Sequence, residues 1–187
     1  MLPNDNNLIY RYLDGDENSF SLIVDTYLKS ILNFSYKLVG NKKDAEDITQ
    51  EVFLKVWKSL KKFDIEKSFK TWIFAIARNT CIDFLRKKNE IPFSKFDNEE
   101  GDNILEDNLI DKELLPDEVF VGGENKKLIE DVLSKLSFIQ KEVIILRYMN
   151  DLNFNEISEI LNIPLNTIKS HHNRALIKMK GILSATI

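Results

Sequence analysis

Residues 165–180 contain many hydrogen-bonding side chains together with four Lys or Arg, and they contain no acid. At about 100° per residue, a helix here has an apolar inward face and a polar outward face. The inward face is predicted to be Leu165, Ile168, His172, Ala175 and Met179. The outward side carries Asn166, Thr167, Lys169, Ser170, Asn173 and Arg174. Amides and hydroxyls can read base edges while cations neutralise phosphates, so the pattern favours DNA binding over an ordinary solvated helix.

A preceding short helix and a tight turn position this stretch. Residues 154–161 form the short helix, which Asn153 and Glu156 begin as a capping box. Asn162 tolerates the left-handed conformation that ends a helix, and Pro164 cannot continue one. The segment therefore predicts a helix-turn-helix.

A helix predicted over residues 44–60, with Asp44 as its cap, offers a second candidate interface. Its outward face collects Asp47, Gln50, Glu51, Leu54 and Lys58, with Trp57 at the edge. An exposed leucine among acids and an amide is typical of a docking surface for a protein, although an ordinary solvated face stays open as an alternative. The clustered carboxylates could also serve a metal or acid–base site, but this half of the chain has no histidine to complete one.

A third candidate lies on the helix predicted over residues 69–88. Trp72, Asn79 and Arg86 recur every seven residues along one stripe, which Lys87 and Lys88 extend. Such a stripe can stack on bases, bond to their edges and hold the phosphate backbone. The alternative is a Trp72 packed in the hydrophobic core and a solvated Arg86. The face of this helix toward the core is predicted to be Phe69, Ile73, Ile76, Ala77, Thr80, Cys81 and Phe84.

Charge is distributed unevenly along the 187 residues, which together carry −4. Residues 1–92 balance at +2, residues 93–127 at −7 and residues 128–187 at +1. The acidic middle is also rich in Pro, Gly and Asn, so we expect a mostly extended tether there, with a short helix near residues 105–115.

Helical periodicity on both sides of the tether predicts an all-α protein of two small helical domains. Further helices are expected over residues 16–39, 125–136 and 139–149, the last capped by Ser137. We place the N-terminal domain at residues 1–90, the flexible acidic linker at 91–124 and the helix-turn-helix domain at 125–187.

The sequence predicts no catalytic residue, no metal site and no cofactor. Cys81 is the single cysteine, which argues against a disulfide framework and favours a reducing compartment. A small buried side chain is the expected state of this thiol. The chain has no run of 18 apolar residues and no signal-peptide pattern, so we expect a soluble, cytoplasmic protein.

Three stretches together resemble a known family. They read DAEDITQEVFLKVWKSLKKF, SFKTWIFAIARNTCIDFLRKK and LSFIQKEVIILRYMNDLNFNEISEILNIPLNTIKSHHNRALIKMK. The first two are similar to the parts of bacterial sigma factors that bind core RNA polymerase and melt promoters, and the third to their C-terminal helix-turn-helix domain. With only these two domains, the chain resembles the extracytoplasmic-function (ECF) group.

The resemblance implies a factor that binds core RNA polymerase, recognises promoter DNA and helps to open it, without an active site of its own. Docking on the clamp coiled coil of core RNA polymerase is implied for Asp47, Gln50, Glu51, Leu54 and Trp57. Contact with the −10 element is implied for Lys67, Ser68, Trp72, Asn79, Arg86 and Lys87. Contact with the −35 element is implied for Asn166, Thr167, Lys169, Ser170, His171, Asn173 and Arg174. The resemblance also implies contact with the polymerase flap and adds an anti-sigma factor as a candidate partner.

Several positions depart from the family pattern, among them Gly122 and Gly123, which interrupt what is often a continuous helix entry into the second domain. Asn162 stands where Gly is usual, His171 where Arg is usual and His172 where an aliphatic residue is usual. We expect His171 beside the basic edge, within reach of phosphate, and His172 packed inward. Two other functions stay open: a helix-turn-helix repressor or activator with an N-terminal sensing or dimerisation module, and an enzyme using the carboxylates of residues 44–51.

Overall fold

Every regular element in residues 5–88 and 126–184, which the computed structural model describes, is a helix. The first range holds α1 (Asp5–Leu13), α2 (Glu17–Val39), α3 (Lys42–Ser59), a 3-10 turn (Leu60–Lys62) and α4 (Phe69–Lys87). The second holds α5 (Lys126–Ser134), α6 (Phe138–Ile144), a π-helical segment (Ile145–Met149), α7 (Phe154–Leu161) and α8 (Leu165–Ser184). The predicted all-α architecture is confirmed, while the tether and its expected short helix lie outside the described residues.

Helix boundaries in the N-terminal domain follow local capping chemistry. The Asp16 side chain accepts a hydrogen bond from the Asn18 backbone at the start of α2, and Gly40 ends α2 at φ +77°. Helix α3 begins earlier than predicted, because Asn41 is its cap and accepts from the Asp44 backbone N–H at 3.1 Å. The prediction that Asp44 caps this helix is therefore wrong: Asp44 lies in the first turn, where a carboxylate suits the helix dipole.

Aromatic side chains fill the space between α2, α3 and α4. The Phe34 and Phe74 rings meet edge-on at 5.4 Å, and the Tyr27 and Phe69 rings at 5.5 Å. Helix α1, which the sequence did not predict, packs on α2. With nine residues it is too short to be stable alone, and it is held in place by tertiary packing.

The helix-turn-helix of the C-terminal domain agrees closely with expectation. Asn153 and Glu156 form the predicted capping box, as do Ser137 and Gln140 at the start of α6. Asn162 adopts the left-handed conformation at φ 54°, and the turn is tightened by Ser158, whose hydroxyl donates to the Ile163 carbonyl at 2.6 Å. Helix α8 continues four residues beyond the predicted end.

Helix α4 is buried on two sides, and the second side packs against the C-terminal domain. Ile76 and Phe84, predicted for the hydrophobic core, are only partly buried. Four side chains of the helix that were not predicted for this face are buried: Thr71, Phe74, Ile82 and Leu85. Helices α6 and α7 cover the second side, which the periodicity of α4 alone could not reveal.

Candidate nucleic-acid and protein interfaces

The outward face of α3 is exposed as predicted. Leu54 is 56% and Trp57 51% exposed, although both are large apolar side chains. Asp47, Gln50 and Glu51 surround them and are also exposed. The opposite face of α3, with Ile48, Val52 and Val56, is fully buried. This division leaves a contiguous apolar pair bordered by acids on the outside of a rigid helix.

Such a face suits a protein partner better than a metal or a substrate. The residues that the structure describes contain no group of three or more His, Cys, Asp or Glu side chains placed to hold a metal ion. Asp44 forms an ion pair with Lys88, just after α4, whose ammonium lies 2.6 Å from its carboxylate. Glu51 pairs with Lys55 one turn later at 2.8 Å. An exposed leucine and tryptophan bury apolar area when another protein covers them, and tryptophan is enriched where such contacts bind most strongly.

The stripe on α4 is exposed over most of its length. Asn79, Arg86 and Lys87 are all exposed, as is Lys67 in the preceding loop. The Ser68 hydroxyl accepts from the Thr71 backbone N–H at 3.2 Å and caps the helix. A polar, cationic edge is therefore presented along a single helix.

Trp72 lies between the two states that the sequence left open. It is half-buried, with its ring centroid 4.8 Å from that of Phe63 and 5.6 Å from that of Phe69. Phe63 begins the loop of residues 63–68, which the family resemblance also implies in contact with the −10 element, but Phe63 itself was not singled out; the basic, aromatic composition of the loop was a usable signal. Packing on these two rings fixes the indole while part of its surface stays accessible, a platform on which an unstacked base can lie.

The outward face of α8 is only partly as expected. Asn166, Thr167 and Lys169 near its N-terminus are exposed. The next polar members of the face are half-buried: Ser170, Asn173 and Arg174. Ile177, one turn after Asn173, is 64% exposed and was missed, although a spacing of four from Asn173 places it on the same face.

The prediction that His171 lies at the exposed basic edge is wrong. It is only 6% exposed, because α8 packs against α5, α6 and α7 and its buried face is correspondingly broad. Ile168, His171, His172 and Ala175 form the i, i+3, i+4, i+7 pattern of such a face. Phosphate contact by His171 in this conformation is therefore unsupported.

His172 points inward as predicted and joins the helix-turn-helix to the residues before it. Its Nε2 lies 2.9 Å from the Tyr148 hydroxyl, and its Nδ1 lies 3.4 Å from Oδ1 of Asn173. The Phe154 ring meets the imidazole edge-on at 4.9 Å. Burial lowers the pKa of His172 below its ordinary value, partly opposed by the hydrogen bond to Asn173, while the charge of Arg147 lowers it further. A neutral imidazole is thus the favoured form beneath a candidate base-reading side chain.

No helix within the two described ranges has the length and apolarity needed to cross a bilayer.

Comparison with known families matches both halves of the chain. The family model for Sigma-70 region 2 matches residues 23–91, which include α3 and α4. The model for Sigma-70 region 4 matches residues 132–181, which include the helix-turn-helix. The two candidate DNA faces therefore fall in two separately matched regions.

Curated relatives and solved structures agree with these matches. The ECF RNA polymerase sigma factor SigW of Bacillus subtilis is 37% identical over 164 residues, covering 86% of each chain. SigX of the same organism is 33% identical over 163 residues, covering 86% of this chain and 81% of the relative. The fold is similar to that of CnrH in complex with the cytosolic domain of CnrY, with a TM-score of 0.70 over 97% of each chain at 20% identity. It is also similar to that of the sigma factor RpoE in complex with the anti-sigma factor NepR from Bartonella quintana, with a TM-score of 0.68 over 88% of this chain and 96% of that chain at 23% identity. The chain belongs to the ECF group of RNA polymerase sigma factors.

Proposed function

We propose that this protein binds core RNA polymerase, directs it to promoters through two DNA-contacting domains and helps to open the DNA. The observation that carries the proposal is the pair of exposed apolar side chains on α3, Leu54 and Trp57, held on a rigid helix among acids. A DNA-binding regulator acting alone has no evident use for such a face. A factor that acts only when it is bound to another protein needs an exposed apolar surface of this kind.

The α3 face is assigned to core RNA polymerase. Its members are Asp47, Gln50, Glu51, Leu54 and Trp57. The acids favour a basic partner surface and steer the encounter, while the leucine and the tryptophan supply most of the binding free energy. The clamp coiled coil of the polymerase is the partner element that the family resemblance implies.

The α4 stripe and the preceding loop are assigned to the −10 element. The residues concerned are Lys67, Ser68, Trp72, Asn79, Arg86 and Lys87. Arg86 and the lysines hold phosphates, Asn79 bonds to base edges, and Trp72 stacks on an unpaired base. Taking a base out of the duplex costs a few kcal/mol, which these contacts offset.

The outward face of α8 is assigned to the −35 element, with Asn166, Thr167, Lys169, Ser170, Asn173 and Arg174 as its contacts. A recognition helix places its N-terminal residues against base edges in the major groove. Asn166, Thr167 and Lys169 occupy that part of α8 and are exposed. His171 is left out of the assignment because it is buried.

Further parts of the proposal concern the whole chain. We assign residues 1–90 and 125–187 to two domains and residues 91–124 to the acidic linker between them. The protein acts without an active site of its own, in the cytoplasm, where RNA polymerase works. An anti-sigma factor is proposed as a regulatory partner, since the CnrH and RpoE structures contain CnrY and the anti-sigma factor NepR respectively.

Reconstitution with core RNA polymerase tests the proposal. Purified protein, core enzyme and a pool of promoter fragments from the source genome are expected to give transcripts that start at defined sites and depend on the added protein. Core enzyme alone is the control. Failure to bind core enzyme, together with no protein-dependent transcript from any fragment, contradicts the proposal.

The −35 assignment is tested separately by salt dependence. Lys169→Ala should weaken promoter binding by the holoenzyme and reduce the slope of log affinity against log salt by about 0.9, the value for one lost phosphate contact. Lys178→Ala is the matched control, because Lys178 is an exposed lysine of the same helix outside the assigned set. Equal slopes for the two variants contradict the assignment of Lys169.

A further inference from the structure

Three hydrogen-bonding side chains form a continuous chain from the π-helical segment to the outward face of α8. The Tyr148 hydroxyl of the π-helical segment lies 2.9 Å from Nε2 of His172. Nδ1 of the same imidazole lies 3.4 Å from Oδ1 of Asn173, the next residue of α8. His172 is buried, whereas Asn173 is half-buried and belongs to the face assigned to the −35 element. A buried imidazole therefore contacts a side chain that faces outward.

The partners of the imidazole determine which of its nitrogens carries the hydrogen. Burial lowers the pKa of His172, so the neutral form is favoured, and a neutral imidazole has one N–H donor and one acceptor nitrogen. The amide oxygen of Asn173 can only accept, which assigns the hydrogen to Nδ1. Nε2 is then the acceptor, and the Tyr148 hydroxyl donates to it. Both hydrogen bonds thus run outward, from Tyr148 through His172 to Asn173.

Aromatic contacts hold the imidazole in this orientation. The Tyr148 ring stacks on it, with 5.7 Å between the ring centroids and an interplanar angle of 23°. The Phe154 ring meets it edge-on at 4.9 Å, and the Arg147 guanidinium lies 5.2 Å from the centroid of the Phe154 ring. Because packing restricts rotation of a buried ring, Nδ1 stays directed at Asn173.

The hydrogen bond from His172 decides which end of the Asn173 amide is available to DNA. With Oδ1 directed at the imidazole, the Nδ2 amino group points away from it and presents N–H donors to a base. An asparagine that uses both atoms binds adenine, since it donates to N7 and accepts from the N6 amino group. An asparagine restricted to donation instead suits N7 and O6 of guanine or O4 of thymine, and it offers no acceptor to the N4 amino group of cytosine.

We propose that His172 is a positioning residue, which turns the Asn173 amide so that its N–H groups face the DNA and thereby selects guanine or thymine at one position of the −35 element. The inference rests on the proposed function, because Asn173 meets a base only if α8 enters the major groove of promoter DNA. An aliphatic side chain in place of His172 would avoid the cost of burying a polar ring, but it would leave the Asn173 amide free to rotate.

Selection from a promoter pool measures the base preference. Core RNA polymerase with the full-length protein is mixed with fragments of a promoter that the factor transcribes, in which only the −35 element is randomised, and the bound fraction is sequenced. One position should favour guanine or thymine over cytosine by about tenfold. Asn173→Ala should abolish the preference at that position and leave the other positions of the element unchanged.

Two substitutions of His172 separate the roles of its two nitrogens. In His172→Asn the amide nitrogen takes roughly the place of Nδ1 and can still donate to Asn173, so the preference should be retained. In His172→Gln the amide takes roughly the place of Nε2 and can still meet Tyr148, but the Asn173 amide is released and should accept adenine about as often as guanine. In the Asn173→Ala background, His172→Gln should have no further effect on base preference, because His172 acts through Asn173.

A second substitution keeps the test valid if the variants of His172 fold poorly. Tyr148→Phe removes the hydroxyl that donates to Nε2 and leaves the aromatic ring in place, so it should weaken the preference. Tyr36→Phe is the matched control, because Tyr36 is a half-buried tyrosine of α2, and it should leave the preference unchanged. Since a base preference is a ratio of sequences bound by one sample, a smaller folded fraction lowers all of them equally.

The outcomes distinguish this inference from the function on which it rests. An unchanged preference in both His172→Gln and Tyr148→Phe overturns the positioning role, even if the holoenzyme selects promoters normally. Equal losses in His172→Asn and His172→Gln at every position of the element indicate a purely structural role and also overturn it. A preference for cytosine at the position that depends on Asn173 overturns the assigned direction of the hydrogen bonds. If the protein confers no promoter selection on core RNA polymerase, the proposed function fails and this inference fails with it.

Discussion

Helices α3 and α4 each carry apolar side chains outside the hydrophobic core of the N-terminal domain, but only those of α4 are covered. Leu54 and Trp57 of α3 remain more than half exposed. Ile82 and Leu85 of α4 are 5% and 2% exposed, because Phe138 of the C-terminal domain packs against them. The partner of the α4 face is in the same chain, whereas no part of the chain that the structure describes covers Leu54 and Trp57 on the α3 face.

The charged residues beside the two faces differ in the same way. On α4 the neighbouring Arg78 meets Glu142 of the C-terminal domain. On α3, Asp47 and Glu51 are exposed, and Glu51 pairs only with Lys55 of its own helix among the described contacts. A second apolar face on a helix therefore indicates an interface, and the charges around it indicate the kind of partner. Each of the following substitutions tests one side of this contrast.

Truncating the covered face should cost the most stability. Leu85→Ala is expected to lower the free energy of unfolding by about 2–4 kcal/mol, because it leaves a cavity at a packed site. Leu54→Ala should change it by no more than about 0.5 kcal/mol, as is usual for exposed positions. Urea denaturation of the two variants beside the wild type measures both values. Similar losses of unfolding free energy in the two variants would contradict the contrast between a covered α4 face and an exposed α3 face.

Truncating a side chain of the exposed α3 face should instead weaken binding to core RNA polymerase. Leu54→Ala is expected to weaken binding to core RNA polymerase by about 1–2 kcal/mol, or about five- to thirtyfold. Leu28→Ala is the matched control, since Leu28 is a 44% exposed leucine on α2 outside the assigned face. Titration of labelled core enzyme gives both affinities. An equal loss in the two variants, or no loss in either, would remove Leu54 from the interface.

Sequence patterns predicted most of the fold because most of it is local. Capping boxes at Ser137 and Asn153, the left-handed turn at Asn162 and the periodicity of α2 are all set by neighbouring residues. The exposure of the α3 face was also predictable, because the hydrophobic face of α3 is complete without Leu54 and Trp57.

The wrong predictions concern side chains whose burial depends on residues far away in the sequence. Ile82 and Leu85 are buried by a helix more than fifty positions away in the chain. His171 is buried because α8 contacts three other helices rather than one. A single helix gives no signal for how many neighbours cover it, so the breadth of its buried face could not be predicted. The packing of Trp72 on Phe63 was not predicted either, because Phe63 lies in the loop before α4, where helical periodicity gives no signal.

Histidine burial should make the C-terminal domain sensitive to acid. His172 has a lowered pKa when folded, so below its ordinary pKa of about 6.5 the unfolded chain binds the proton more strongly and stability falls. Stability should therefore fall between pH 7.5 and 5.5, and His172→Leu should remove this part of the loss. Urea denaturation of wild type and variant at both pH values measures the difference. If His172→Leu loses as much stability between these two pH values as the wild type does, His172 is not the source of the acid sensitivity.

The smallest effect is expected for the surface pair between α3 and α4. Asp44→Asn should lower the free energy of unfolding by less than about 1 kcal/mol, since Lys88 and Asp44 meet at a solvent-exposed edge. The loss should shrink further in high salt. Denaturation at two salt concentrations checks both points, and a large, salt-independent loss would show that this pair is more like the buried pair of Arg78 and Glu142.

Oxidative footprinting of the two tryptophans tests the proposed division of labour most directly. Trp57 lies on the assigned polymerase face and Trp72 on the assigned −10 face, and the chain has no other tryptophan. Peptide mass spectrometry should show Trp57 protected as soon as core RNA polymerase is added. Trp72 should gain protection only when promoter DNA joins the complex. Unchanged oxidation of Trp57 at saturating core enzyme would contradict the assignment of the α3 face to the polymerase.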